Sequence, residues 1–214
     1  MAISPHLDDV AFGCADLVSG YPGALVVTVV AGRPGPHELT DWDGKCGFGQ
    51  DDDVMGARRE EDDAALRHLG AIPVWLDFLD RQYARDWSSP DPYRIAEAIR
   101  PLLEDAGVVA SPLGLLHPDH VAVAAGCLQV ARSLPSLPWI LYEDAIYRAT
   151  PGASDEATAK LRDAGLYLEP FEIGPAARKR EAIASYVSQL KGLGDLVLDA
   201  YEPERYWTLV RTET

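Results

Sequence analysis

The chain has 214 residues, 47% of them hydrophobic, and carries a formal net charge of −15 at neutral pH. That length and apolar content fit one folded domain over residues 1–214 rather than a disordered chain. The acidity argues against a nucleic-acid partner, because gripping phosphates needs clustered Lys and Arg. Three widely spaced cysteines, Cys14, Cys46 and Cys127, do not read as a disulfide framework. No apolar run approaches the length of a membrane span, so a cytoplasmic protein with no membrane insertion is expected.

In chain order, a very short first strand ends at SPHLDD, followed by an apolar helix. The run ALVVTVVA at 24–31 is β-branched and almost wholly apolar, as in a parallel strand covered on both faces. Residues 53–69 show helical spacing, and Gly70 stands where a left-handed cap belongs. IPVWLDF at 72–78 reads as a strand, 92–105 as a helix, VVASPL at 108–113 as a strand, 119–132 as a helix and WILYED at 139–144 as a strand. This alternation predicts an α/β fold, Rossmann-like and doubly wound, with a mostly parallel sheet and helices on both faces. Beyond Tyr147 the pattern loosens: SDEATAKLRDAG is helical, LEPFEIG strand-like, ARKREAIASYVSQLKGLG helical and RYWTLVR a last strand. The irregular stretches 33–53 and 80–92 are long for a compact domain and are expected to border a site.

Two clusters carry chemistry. SPHLDD places His6, Asp8 and Asp9 after the first strand, and LLHPDH places His117, Asp119 and His120 after the strand at 108–113. Both fall at strand carboxyl ends, where open α/β sheets bind ligands, and imidazole with carboxylate suits zinc. An alternative for the first cluster is that Asp8 or Asp9 merely caps the first helix. His68 reads as a helix-surface residue and His37 as a loop residue without a partner motif. Trp42, Cys46 and Phe48 lie in a Gly-rich loop that closes over a substrate or is plain surface, and no neighbouring His or Cys marks Cys46 as a redox thiol. LYEDAIYR offers Tyr142, Glu143, Asp144 and Tyr147 for recognising a hydroxyl-rich ligand.

The pair PHLDD and HPDH resembles the signature motifs of the PIG-L/LmbE-like zinc-dependent N-deacetylases. Arg58 and Glu61 before Leu69-Gly70, and Lys179 through SYVSQ at 185–189, are similar to further family segments. The resemblance implies that His6, Asp9 and His120 bind Zn2+, with another divalent metal as the alternative. It implies Asp8 as general base and His117 as general acid or oxyanion stabiliser, with Asp119 orienting His117. It further implies Arg58 as a substrate contact oriented by Glu61, to which the strand-end residues Tyr142 and Glu143 are added. Three protein ligands leave a tetrahedral zinc one position for a water of lowered pKa, which amide hydrolysis requires.

The expected activity is removal of an acetyl group from an N-acetylated amino sugar, glycoside or sugar conjugate, a small-molecule substrate. Alternatives are a metal hydrolase of another amide or carbamoyl group, or a non-catalytic α/β module that holds a metal. Two departures from the family pattern stand out. Only Met1 to Pro5 precede His6, and Leu115 occupies the position where some members carry a transition-state Tyr.

Overall fold

The computed structural model describes residues 1–36 and 38–211, so His37 lies outside the described residues. Its frame is a seven-stranded sheet, β1 Ala2–Ser4, β2 Leu25–Thr28, β3 Ile72–Trp75, β4 Val109–Pro112, β5 Trp139–Tyr142, β6 Leu166–Phe171 and β7 Tyr206–Arg211, in the order β3-β2-β1-β4-β5-β7-β6. The first five strands in that order are mutually parallel, while β7 runs antiparallel to β5 and to β6. The doubly wound, mostly parallel sheet expected from the alternation is therefore present, with an antiparallel edge.

Side chains alternate across a strand, so neighbouring residues serve opposite faces. Ala2, Val26, Ala110 and Ile140 join a core with α1 Asp9–Gly13, α2 Ala15–Ser19, α4 Val54–Leu69 and α8 Lys179–Ala184. Ile3, Val27, Val109 and Trp139 join the opposite core with α5 Pro92–Ile99 and α6 Pro118–Ser133. Both faces being covered is why these strands read as continuous apolar runs. Three residues suffice for β1 because it is central: it pairs with β2 on one side and β4 on the other, and all three side chains are buried.

Some stretches departed from the expected pattern. The 33–53 region contains α3 Asp41–Cys46, capped by Thr40, which accepts from the Asp43 N–H, and closed by Gly47 in the left-handed region. The expected helix over 177–194 is broken between α8 and α9 Val187–Leu193. The break sits at Tyr186, a buried residue whose hydroxyl donates to Asp62 Oδ1, and it frees the Ser188 N–H and hydroxyl to donate to Glu61. Near the chain end, α7 Ala153–Asp163 precedes β6, and the two share an apolar cluster with Leu161 and Leu166.

Candidate metal centre

The sheet reverses its winding at β1: β2 and β3 extend one way, β4 and β5 the other. The crevice beyond the carboxyl ends of β1 and β4 is the place such sheets offer a ligand. Both motif turns open into it. In the first, Ser4 Oγ donates to the His6 carbonyl and accepts from the Val10 N–H, fixing a tight bend from strand to helix. The Asp8 side chain makes no cap to α1, and Asp9 Oδ2 accepts the His6 N–H at 2.7 Å, so neither aspartate serves as the helix cap considered above. In the second, Gly114 has φ +87°, and a Cβ there would lie 2.6 Å from Ala124 Cβ, so a side chain at this bend is excluded.

The two turns bring His6, Asp9 and His120 together in a triangle. His6 Nδ1 is 3.2 Å from His120 Nε2 and from Asp9 Oδ2, and His120 Nε2 is 3.2 Å from Asp9 Oδ2. The far nitrogen of each ring faces a carboxylate. His6 Nε2 lies 3.2 Å from Asp119 Oδ2, and His120 Nδ1 lies 2.6 Å from Asp144 Oδ1. With the ring protons placed on those far nitrogens, three lone-pair atoms point at one another. That arrangement is repulsive until a cation or extra protons fill it. Tetrahedral donors about 2.0–2.1 Å from a zinc ion stand roughly 3.3–3.4 Å apart, so the donor set fits such an ion.

The remaining expected residues separate into those that reach the cavity and those that do not. His6, Asp8, Asp9, Arg58, His117 and His120 line one cavity of about 290 Å³. Burial and the neighbouring Asp9 push the Asp8 carboxyl up to about 6, against the pull of Arg58 and His6. Arg58 is buried, and Asp8 and Asp80 hold its guanidinium charged against the cost of burial. Burial, then the charges of His6 and His120, lower His117 to about 4. His117 Nδ1 accepts the Asp119 N–H at 3.3 Å, which leaves Nε2 as the protonated nitrogen of a neutral ring. One nitrogen from each of His6, His117 and His120 also falls within 4.8 Å of the others, a looser grouping than the 3.2 Å triangle.

Several expectations change in the folded chain. The Asp119 carboxylate meets His6, and only its backbone N–H meets the His117 ring. Tyr142 is in the core, donating to the Ile3 carbonyl, and Glu143 is buried beneath Trp207 Nε1 at 3.1 Å. Neither lines the cavity: Tyr142 belongs to the interior strand β5, covered on both faces, and the carboxylate of Glu143, just past it, is taken up by Trp207 and Arg205. Glu61 accepts from Ser188 rather than orienting Arg58. Burial raises the Cys46 thiol to about 11, far from a reactive thiolate. Tyr147 and Trp42, considered above for ligand recognition and loop closure, do line the cavity, and so do Asp80, Arg81, Trp87 and Gln189, which were not singled out as site residues. The advance signal for Asp80, Arg81 and Trp87 was their place in the long stretch 80–92, and for Gln189 its place in the family-like segment 185–189. The Tyr147 ring stands 4.9 Å from that of His120 and 5.9 Å from that of His117.

Residues 1–131, more than half of the chain, match the family model described as PIG-L: GlcNAc-PI de-N-acetylase. The chain belongs to this family. A deacetylase of the teicoplanin biosynthetic pathway, crystallised as the triple mutant Orf2*T, superposes with a TM-score of 0.81 at 28% identity, over 99% of this chain and 98% of that one. The A40926 pseudoaglycone deacetylase Dbv21 gives 0.76 at 26% identity, over 100% and 97%. A zinc-inhibited form of teicoplanin deacetylase Orf2 gives 0.82 at 24% over 99% and 98%. The N,N'-diacetylchitobiose deacetylase of Pyrococcus horikoshii shares the fold at 0.54 and 18% identity, over 88% and 69%. No curated protein matches the chain. Among the described residues no helix is long and apolar enough to cross a membrane.

Proposed function

We propose that this protein is a zinc-dependent hydrolase that removes the acetyl group from an N-acetylated amino sugar, glycoside or sugar conjugate. The observation that carries this reading is the 3.2 Å triangle of His6 Nδ1, Asp9 Oδ2 and His120 Nε2 beside a free carboxylate, Asp8, in one cavity. Three protein donors make an open site, whereas a structural zinc uses four. A zinc or other divalent ion held there supplies Lewis acidity and a water of lowered pKa.

The chain's own residues supply the rest. Asp8, ionised, takes the proton of the attacking water. His117, kept neutral by burial and with its Nε2–H free of the Asp119 contact, donates that N–H to the oxygen that gains charge. The proton collected on Asp8 is then available to the departing amine. Asp119 and Asp144 hold the two histidine rings from behind, the usual outer-shell role of carboxylates at metal sites. Arg58 contacts and orients the substrate in the cavity.

The substrate class rests on relatives: the family description names a GlcNAc-PI de-N-acetylase, and the similar structures are deacetylases of teicoplanin, an A40926 pseudoaglycone and N,N'-diacetylchitobiose. Near-complete two-way coverage of the Orf2 and Dbv21 chains supports a single deacetylase domain over 1–214. Cys14, Cys46 and Cys127 are all free thiols, which suits a cytoplasmic setting. The test is a panel of N-acetylated sugars, glycosides, other amides and carbamoyl compounds incubated with metal-free and zinc-loaded protein, read by mass spectrometry. Acetyl loss from amino sugars that requires metal is expected. Preferential turnover of a carbamoyl group or a sugar-free amide would overturn the reading.

A further inference from the structure

Three non-glycine residues among those described have positive φ: Trp87 at +57°, Leu116 at +53° and Ile146 at +63°. A bulky side chain, above all the β-branched one of Ile146, adopts this left-handed conformation only against a steric penalty. Trp87 stands at the mouth of the cavity, 58% exposed although it lines the site. The other two come immediately before residues that line it, Leu116 before His117 and Ile146 before Tyr147. Strain of this kind persists only where the surrounding structure over-determines it, and it gathers at functional sites.

Around Tyr147 the backbone is held from both sides. The Ile146 N–H donates to Asp199 Oδ2 at 2.7 Å, and Arg148 Nε donates to the same oxygen at 2.8 Å. Buried Arg148 also donates through its Nη atoms to the carbonyls of Asp199 and Pro203, and its N–H donates to the Asp144 carbonyl. Tyr147 is thus placed by its neighbours without a bond from its own side chain. Its ring packs edge-on against His120, 4.9 Å between centroids, and 5.9 Å from His117. Trp42 in the same cavity commits its indole N–H to Gln189 Oε1, whereas the Tyr147 hydroxyl has no hydrogen-bond partner among the described residues. Burial, then Asp9, Asp8, Asp144 and Asp80, keep the phenol in its protonated form, so it offers a donor. An oxygen that gains charge is held by donors preorganised around it, and His117 Nε2–H is only one.

We infer that the Tyr147 hydroxyl is the second donor to the carbonyl oxygen that gains charge, which makes it a catalytic residue alongside His117. This rests on the deacetylase reading above and adds a member to its machinery. As the water oxygen bonds to the acetyl carbon, the carbonyl π pair moves onto its oxygen, to which His117 Nε2–H and the Tyr147 O–H both donate. Tyr147 keeps its proton throughout. The C–N bond then breaks, and the proton that reaches the departing amine is the one collected on Asp8. A contact that strengthens as charge develops acts on turnover more than on substrate binding.

The test compares zinc-loaded wild type and Tyr147→Phe on the fastest-reacting acetamide of the panel above. Phe keeps the ring against His117 and His120 and removes only the hydroxyl. It is expected to lower kcat by about 10²–10³-fold at nearly unchanged KM, with zinc affinity in a chelator competition unaltered. Calorimetry follows two further probes, the methyl glycoside of glucosamine and the methylphosphonamide analogue of the methyl glycoside of N-acetylglucosamine, whose tetrahedral phosphorus carries a negative oxygen. Tyr147→Phe should bind the phosphonamide about 10–100-fold more weakly and the amine as before. An unchanged kcat, a raised KM with kcat intact, or equal weakening of both probes would make Tyr147 a packing or ground-state contact and overturn the inference. A wild type inert toward every acetamide sinks the deacetylase reading and this inference with it. An active wild type matched by Tyr147→Phe sinks this inference alone.

Discussion

Adjacent aspartates have different surroundings and therefore different consequences when removed. Asp9 is locked to the His6 N–H and both ring nitrogens, whereas Asp8 faces the cavity. Replacing Asp8 with Ala should lower turnover by about 10²–10⁴-fold, the usual contribution of a general base, with metal content by elemental analysis unchanged. Loss of metal in that variant would move Asp8 into the ligand set. A base acts ionised, so kcat/KM should fall as pH drops through its pKa. Burial and Asp9 set that pKa at about 6 before a cation is bound, and a cation draws it lower, so the acid limb belongs at or below pH 6. Asp144 acts from behind: its Oδ1 meets His120 and its Oδ2 accepts the N–H groups of Gly114 and Leu115. An amide cannot accept on both sides. Asp144→Asn should therefore weaken zinc binding about 10–100-fold in a chelator competition, and unchanged affinity would remove Asp144 from its positioning role.

Between elements, the decisive contact is the one that breaks the late helix. Glu61 on α4 accepts both the Ser188 N–H, at 2.7 Å, and the Ser188 hydroxyl, at 2.6 Å, and so anchors the start of α9. Gln189 and Leu193 of α9 line the cavity, and the Gln189 side-chain carbonyl accepts from the indole N–H of Trp42 in α3. One carboxylate thus links the helix layer to a wall of the site. Glu61→Ala leaves two donors without their acceptor and should cost about 1–3 kcal/mol in urea unfolding. Glu61→Gln should recover part of this, and equal stability of all three proteins would show that α9 docks without the contact. The break itself had no periodic signature, because the residues on both sides are acceptable in a helix. What ends α8 is the burial of Tyr186 against Phe12 and its bond to Asp62, both supplied by distant segments.

For the whole molecule, the buried Asp62 ties folding to pH. Burial raises its carboxyl to about 7, although Trp75 and Tyr186 donate hydrogen bonds to it. In the unfolded chain an aspartate titrates near about 3.9. Between those values the folded state holds a proton that the unfolded state has released, so stability from this group is full below pH 4 and declines as pH rises to 7. The slope for one proton is about 1.4 kcal/mol per pH unit. Urea midpoints measured from pH 4 to 8 should show that decline in the wild type minus Asp62→Asn difference. A flat difference would mean that Asp62 is ionised when buried.

The sequence by itself determined the α/β alternation and the two strand-to-helix turns that carry His6, Asp8, Asp9, His117 and His120, because these are periodic or local patterns read over a few residues. It also supported the family, through motifs that lie on those turns. Only the tertiary structure decided which carboxylate backs which imidazole, that Tyr142 and Glu143 are buried away from the cavity, and that Trp87 stands at its mouth. Those facts depend on side-chain directions and on segments far apart in the chain, such as His6 and Asp119 or His120 and Asp144. Strand alternation tells a residue's face, but the partner waiting on that face is chosen by how the whole sheet and its helices pack.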